Sequence, residues 1–245
     1  MRLTVLGCYG PYPKAGGACS GYLLEHKNKR ILIDCGNGVL SKYLIYFEDL
    51  NKLDAVFISH LHPDHMSDLM VLRYAIYVQK LLCKIKIPLP IYLPATPAEE
   101  YTRILYKDSF IPNIIKEDVE IQMGGLKIKF IKTRHSVECY GISFESRDKK
   151  FVYSADTGYF DGLINFAKES DLFLCEANFL HKDITETRLH LSGKQAGQIA
   201  SKANVKKLIL THILPDNDVN EIFIEAEEVF TGELHIAREG KTFYI

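Results

Sequence analysis

Four metal-binding side chains stand within six positions in His60-Leu61-His62-Pro63-Asp64-His65, directly after the apolar run Asp54–Ile58. This feature limits the fold most, because a strand that ends on a cluster of ligands is how open α/β architectures build their sites. Imidazole nitrogen and carboxylate oxygen suit zinc, and also manganese or iron, while the lack of cysteine argues against a closed structural zinc site. A lone histidine is usually a surface or satisfied core residue. Four ligand types together, in a chain with nine histidines, read as a metal motif.

The rest of the chain alternates between strand and helix patterns. Strands are expected at Leu3–Leu6, Gly21–Glu25, Arg30–Ile33, Asp54–Ile58 and Pro90–Leu93. Further strands follow at Leu126–Lys132, Cys139–Glu145, Lys150–Ser154, Leu172–Cys175 and Lys207–Leu210, with two short ones closing the chain. Helices are expected at Val39–Phe47, Met66–Lys84, Pro97–Lys107, Asp161–Lys168, Ser192–Ala203 and Asn220–Phe230. Thr96 with Glu99, and Ser192 with Gln195, have the spacing of helix capping boxes. No linker composition or repeat interrupts 1–245, which reads as one domain of two face-packed sheets with helices outside.

Four side chains cannot complete two metal sites, and the missing ligands should also follow strands. His135 follows Lys127–Lys132, Asp156 follows Phe151-Val152-Tyr153-Ser154, and His212 follows Leu208-Ile209-Leu210-Thr211. Asp34 closes Ile31-Leu32-Ile33 and can orient a ligand histidine by accepting its second N–H. His190 lies just before the helix that Ser192 opens, where backbone N–H groups favour an anion, so it is a candidate proton donor or phosphate contact. His26, His181 and His235 read as surface or packing residues.

Thirty basic against 31 acidic residues leave a net charge of −1, without the basic excess of a dedicated nucleic-acid binder. Six scattered cysteines with no C-x-x-C pair read as reduced, mostly buried thiols and give the cytoplasm as the expected location. The apolar stretch before Val5-Leu6-Gly7-Cys8 is too short for a signal sequence, and no run approaches a membrane span.

In order and across nearly the whole chain, these motifs resemble the metallo-β-lactamase superfamily. The local likeness is strongest to ribonuclease Z and small bacterial hydrolases of the YhfI type. It is carried by Ser59–His65, Ser154-Ala155-Asp156-Thr157-Gly158, Cys175-Glu176-Ala177-Asn178-Phe179, and His190-Leu191-Ser192-Gly193 through Thr211-His212. The resemblance implies an α/β metallo-β-lactamase fold, a four-layer αββα sandwich with two packed mixed β-sheets. It implies one divalent ion held by His60, His62 and His135, a second by Asp64, His65 and His212, and Asp156 bridging both. Zn2+ is the expected ion, with Mn2+ or Fe as alternatives. Two such ions about 3.5–4 Å apart share a water, lower its pKa and supply hydroxide. Asp64 and His190 are the side chains expected to take part in catalysis, with Asp34 behind the ligands.

The activity implied is a phosphodiesterase acting on a small phosphodiester or nucleotide-like substrate. Thioester or other ester hydrolysis of the glyoxalase II type is the alternative, and a non-catalytic metal-binding protein is the second. Ribonuclease Z inserts an arm that grips transfer RNA between its third-motif histidine and its bridging aspartate. Here His135 and Asp156 are only 21 positions apart, so that arm is missing and transfer RNA is not the expected substrate. No cysteine stands at a ligand position, unlike the zinc lactamases, and no central histidine is replaced, unlike the flavodiiron proteins. The likeness also implies a homodimer, and the apolar segment Leu69–Val78, including Tyr74 and Tyr77, reads either as its face or as a helix buried in the monomer.

Overall fold

Strands with apolar side chains on both faces need cover on both sides, and most strands of this chain are of that kind. In the computed structural model, which describes residues 1–85, 88–185 and 187–245, two seven-stranded mixed sheets pack together with helices outside. The first sheet runs β1 (Arg2–Gly7), β2 (Gly21–His26), β3 (Lys29–Ile33), β4 (Ala55–Phe57), β5 (Leu89–Leu93) and β6 (Phe110–Ile114), with β14 (Thr242–Tyr244) beside β1. The second runs β7 (Ile121–Met123), β8 (Leu126–Lys132), β9 (Tyr140–Glu145), β10 (Lys150–Tyr153), β11 (Leu172–Glu176), β12 (Lys207–Thr211) and β13 (Glu233–Ile236).

Alternation along the strands separates three cores. Tyr22, Leu24, Ile31, Ile33 and Phe57 point between the sheets and meet Phe130, Ile142, Phe144 and Tyr153. The rings of Phe57 and Phe144 pack edge to face across the sheets, with centroids 5.7 Å apart. On the outer face of the first sheet, Leu23, Leu32 and Val56 pack under α1 (Val39–Phe47) and α3 (Leu69–Leu81). On the outer face of the second, Val152, Phe173 and Leu208 pack under α5 (Asp161–Ala167), α6 (Gly193–Lys202) and α7 (Val219–Glu227). The result is the αββα sandwich that the resemblance implies.

Strands β3 to β6 run parallel, as do β10 to β13. Two antiparallel pairings carry the direction from β10 through β9 to β8, so β8 runs with β10. The C-terminal ends of β3 and β4 therefore share one edge of the first sheet, and those of β8, β10, β11 and β12 share one edge of the second. Asp34, Ala155 and His212, which leave three of these ends, have φ of 56°, 53° and 54°. This left-handed conformation costs a non-glycine residue of order 1–3 kcal/mol, and it turns the chain sharply where the site is built.

Several expectations are corrected. The helix expected at Met66–Lys84 is shortened to α3, Leu69–Leu81, and Met66 instead ends a separate turn, α2 (Pro63–Met66). Asp68 makes the break: its N–H donates to Cys35 O and its carboxylate accepts from Leu40 N–H, pulling the turn toward the loop after β3. Helix α4 covers only Ala98–Ile104, and Thr96 does not cap it, because Pro97 is the N-cap and Thr96 Oγ1 donates to Glu138 instead. Strands β6 and β7 were not expected. Pro112 interrupts the strand pattern of β6, which tolerates it at a sheet edge. The two closing strands join different sheets. In Leu69–Val78, the chain's own core buries Leu69, Leu72 and Ile76, and Tyr77 packs on Tyr106, leaving Val71 and Tyr74 exposed. Cys83 is exposed and the other five cysteines are buried. Among the described residues, no helix is long and apolar enough to cross a membrane.

Candidate metal centre

The central cluster is built on a single turn of helix. Pro63 opens α2, His62 precedes it as N-cap, and Asp64 and His65 follow within the turn. Proline fits that first position because its missing N–H would be unpaired there in any case. Two backbone hydrogen bonds tie the turn to the loop after β3, from Cys35 N–H to His65 O and from Asp68 N–H to Cys35 O. Gly36 permits this approach, since a Cβ there would lie 2.0 Å from Asp64 O.

Asp34 organises what the turn carries. It is fully buried and accepts from Ser59 N–H (2.8 Å), Ser59 Oγ–H (2.9 Å), Tyr153 O–H (2.8 Å) and His65 Nδ1–H (2.8 Å). A carboxylate that takes the Nδ1 proton leaves the Nε2 lone pair of His65 free. Ser59 Oγ has given its hydrogen to Asp34, so at 3.1 Å it accepts from His60 Nδ1–H and frees His60 Nε2 in the same way. One carboxylate thus sets one histidine directly and a second through a serine.

The second sheet supplies the rest. His135 follows β8, Asp156 follows β10 and His212 follows β12. Donor atoms of His60, His62, His135 and Asp156 lie within 4.8 Å of one another, and so do those of Asp64, His65, Asp156 and His212. Asp156 belongs to both groups: Oδ1 is 3.3 Å from His65 Nε2, while Oδ2 is 3.6 Å from His60 Nε2 and 3.4 Å from His212 Nε2. Among the described residues, buried His65 Nε2 and Asp156 Oδ1 have no hydrogen-bond partner. Native proteins rarely leave such atoms unpaired, and the pair fits a cation-binding role. Burial pushes His60 well below the usual imidazole range and His135 down to about 4, so both keep a lone pair. Burial opposes ionisation of Asp156, but the facing imidazoles of His212, His65 and His60 outweigh it and hold the carboxyl well below its usual range. Burial would lower the pKa of His65, but the carboxylates of Asp156, Asp64 and Asp34 outweigh it and hold the imidazole well above its usual range, which marks a buried place for positive charge. Imidazole and carboxylate donors gathered around such a place are the set a divalent ion takes, displacing the proton.

His190 stands beside the cluster, its ring centroid 5.2 Å from that of His135 and 5.4 Å from that of His212. Its Nδ1 faces Glu176 Oε1 at 2.9 Å. Burial would lower its pKa, but the charge and hydrogen bond of Glu176 outweigh burial and raise it to about 9. The expected capping box of Ser192 and Gln195 is present, but it does not leave an open anion cradle. Ser192 Oγ takes the Gln195 N–H, Glu225 takes the Lys194 N–H and Glu176 takes the Leu191 N–H.

The structure brings His60, His62, Asp64, His65, His135, Asp156, His212, Asp34 and His190 to one place, and none of His26, His181 and His235 joins them. Sequence reasoning assigned no role to Ser59, Tyr153, Glu176, Asn178 or Gly10. Glu176 ends an apolar strand, the signal that singled out Asp156 and His212, and could have been found by it. Asn178 and Gly10 give no such signal. Asn178 Nδ2 donates to Gly10 O (3.0 Å) and His212 O (2.9 Å), and a Cβ on Gly10 would lie 2.0 Å from His212 Nε2.

Residues 29–213 match the model of the β-lactamase superfamily domain. The chain belongs to that superfamily. Within the β-lactamase superfamily it is similar to the probable metallo-hydrolase YhfI of Bacillus subtilis, 38% identical over 241 residues that cover 98% of each chain. The crystal structure of YhfI superposes with a TM-score of 0.94 over 99% of this chain and 98% of that one, at 36% identity. Ribonuclease Z of Clostridioides difficile is 26% identical, covering 96% of this chain and 95% of its own. Human tRNase Z, short form, shares the fold at a TM-score of 0.79 and 20% identity, covering 100% of this chain and 99% of that one.

Proposed function

We propose that this protein is a dinuclear, metal-dependent phosphodiesterase acting on a small phosphodiester or nucleotide-like substrate. The observation that carries the reading is the carboxylate of Asp156, shared by two ligand groups. His60, His62 and His135 with Asp156 would hold one divalent ion, and Asp64, His65 and His212 with Asp156 the other. The imidazole and carboxylate donors make zinc the expected ion, with manganese or iron as alternatives. When bound, the two ions activate a water at neutral pH and offset charge on the scissile phosphoryl oxygens.

The chain's own residues do the remaining work. Asp156 fixes the spacing between the two positions, and Asp34 keeps the ligand nitrogens of His65 and His60 aimed inward. Glu176 holds His190 through Nδ1, which leaves Nε2 to give a proton to the leaving oxygen. That pairing favours phosphodiesters over thioesters, because an alkoxide leaves poorly without a proton and a thiolate does not need one. Relatives named ribonuclease Z support the same chemistry. The short span from His135 to Asp156, half of it in β9 and β10, supports a small substrate over transfer RNA. The free thiols, five of them buried, support a reducing cytoplasm as the location.

The direct test is metal-dependent turnover of bis-(p-nitrophenyl) phosphate beside a thioester and a lactam. The phosphodiester should be turned over best; hydrolysis of only the thioester or the lactam overturns the reading. Metal analysis of the same preparation should reach two equivalents per chain after reconstitution, and a ceiling of one would end the dinuclear assignment. Gly10→Ala should displace the packed His212 ring while sparing the sandwich. The expected result is an unchanged circular dichroism spectrum with loss of one metal equivalent; full metal content would show that the loop over His212 yields.

A further inference from the structure

A cleft of about 490 Å³ opens beside His190, and its walls include Arg134, Tyr159, Arg188 and Gln195. We propose that this cleft is a subsite for a second phosphate, so that the natural substrate is a phosphodiester that also carries a terminal phosphomonoester. The proposal deepens the phosphodiesterase reading and rests on it.

Two arginines line the cleft in a chain whose charges otherwise nearly cancel, and no carboxylate side chain lines it among the described residues. Among the described residues neither guanidinium is paired with a carboxylate, and each is held by other contacts. Arg134 Nη1 donates to Tyr159 O at 3.1 Å, and its guanidinium lies 5.8 Å from the centroid of the Phe160 ring. The guanidinium of Arg188 lies over the Phe179 ring at 4.3 Å. Backbone carbonyls and ring faces orient an arginine while leaving N–H groups and charge for a ligand. Lys202 Nζ donates to Tyr159 Oη at 2.9 Å and so fixes the ring of this lining residue.

A phosphodiester carries one negative charge, which the metal centre takes up. A phosphomonoester carries about −1.5 to −2 at neutral pH and three acceptor oxygens, which matches two guanidinium groups. Gln195 already accepts from Ser192 N–H through Oε1, so what it can offer a ligand is its amide N–H2. The cleft and the metal centre also share their backbone supports. Arg134 directly precedes His135, its N–H donates to Thr157 Oγ1 at 3.2 Å, and its carbonyl accepts from Gly158 N–H at 2.8 Å, just beyond Asp156. Two phosphates of one substrate would therefore be held at a fixed separation.

The test compares the 5′-(p-nitrophenyl phosphate) ester of thymidine with the same ester bearing a 3′-phosphate, using metal-loaded protein. The 3′-phosphorylated ester should be favoured in kcat/KM by about tenfold or more, mainly through KM. Arg188→Ala and Arg134→Ala should each lower that preference by about tenfold, and Arg188→Lys should restore only part of it, because lysine cannot bind bidentately. A ratio near one in the unaltered protein, or a ratio that survives loss of both arginines, overturns the subsite. If neither ester is hydrolysed, the phosphodiesterase reading fails separately, and binding decides the subsite. Calorimetric titration should then show thymidine 3′,5′-bisphosphate binding about tenfold more tightly than thymidine 5′-phosphate, with the difference lost in Arg188→Ala. Equal binding of the two nucleotides overturns it.

Discussion

Asp156→Ala should abolish metal-dependent turnover and weaken both metal positions, because one carboxylate lies against both ligand groups. Asp34→Asn is the comparison that gives this result its meaning. Asp34 touches His65 and reaches His60 through Ser59, and loss of such an outer partner typically costs about 10–100-fold in metal affinity or activity. Asparagine at that position would turn an N–H2 group toward atoms that are themselves donors, disturbing the tautomer of His65 while leaving every ligand in place. Asp156→Ala removes a ligand from both groups and should fall well below Asp34→Asn in kcat/KM. Metal analysis and kinetics of the two purified variants check the order. Asp156→Ala protein that retains two ions and normal turnover would end the bridging assignment.

His190→Ala should keep both ions and lose its rate selectively. With a poor leaving group, turnover should fall by roughly 10²–10⁴-fold, the range typical of losing a general acid. A nitrophenolate leaves readily without a proton, so a nitrophenyl ester should lose much less. Equal losses on both substrates would make His190 a phosphate contact, an unchanged rate on both would leave it without a role, and a lost ion would make it a ligand. The ratio of the two losses, read with metal analysis of the same sample, decides among these outcomes.

The parts of this molecule that could be read from sequence are those that leave a signal local in the chain. A carboxylate or imidazole at the end of an apolar strand is such a signal, and it led to Asp34, His60, His135, Asp156 and His212, all of which the fold gathers. The continuous apolar runs of β3, β11 and β12 declared strands covered on both faces, and two covered sheets make a sandwich. What sequence could not give depends on distant partners. Asp68 breaks a helix pattern because Cys35 and Leu40 lie beside it. Thr96 has the spacing of a cap, yet Glu138 takes its hydroxyl. Gly10 is crowded only because His212, far along the chain, stands against it. Strand β6 stayed hidden because a proline is tolerable only at an edge, and edges are a property of the assembled sheet.

The first sheet carries His60, His62, Asp64 and His65, and the second carries His135, Asp156 and His212. Neither sheet therefore holds either candidate donor group by itself, so under the proposed function the alignment of one sheet on the other would set the geometry of the site. Aromatic contacts between the sheets, Phe57 edge to face with Phe144 and Tyr22 tilted against Tyr153, seat one sheet on the other. A displacement of about 1 Å in a reacting geometry can cost about 100-fold in rate. Under the proposed function, slippage along that seam would reach the chemistry while the sandwich was still folded, and the packing of the shared interior would govern rate as well as stability.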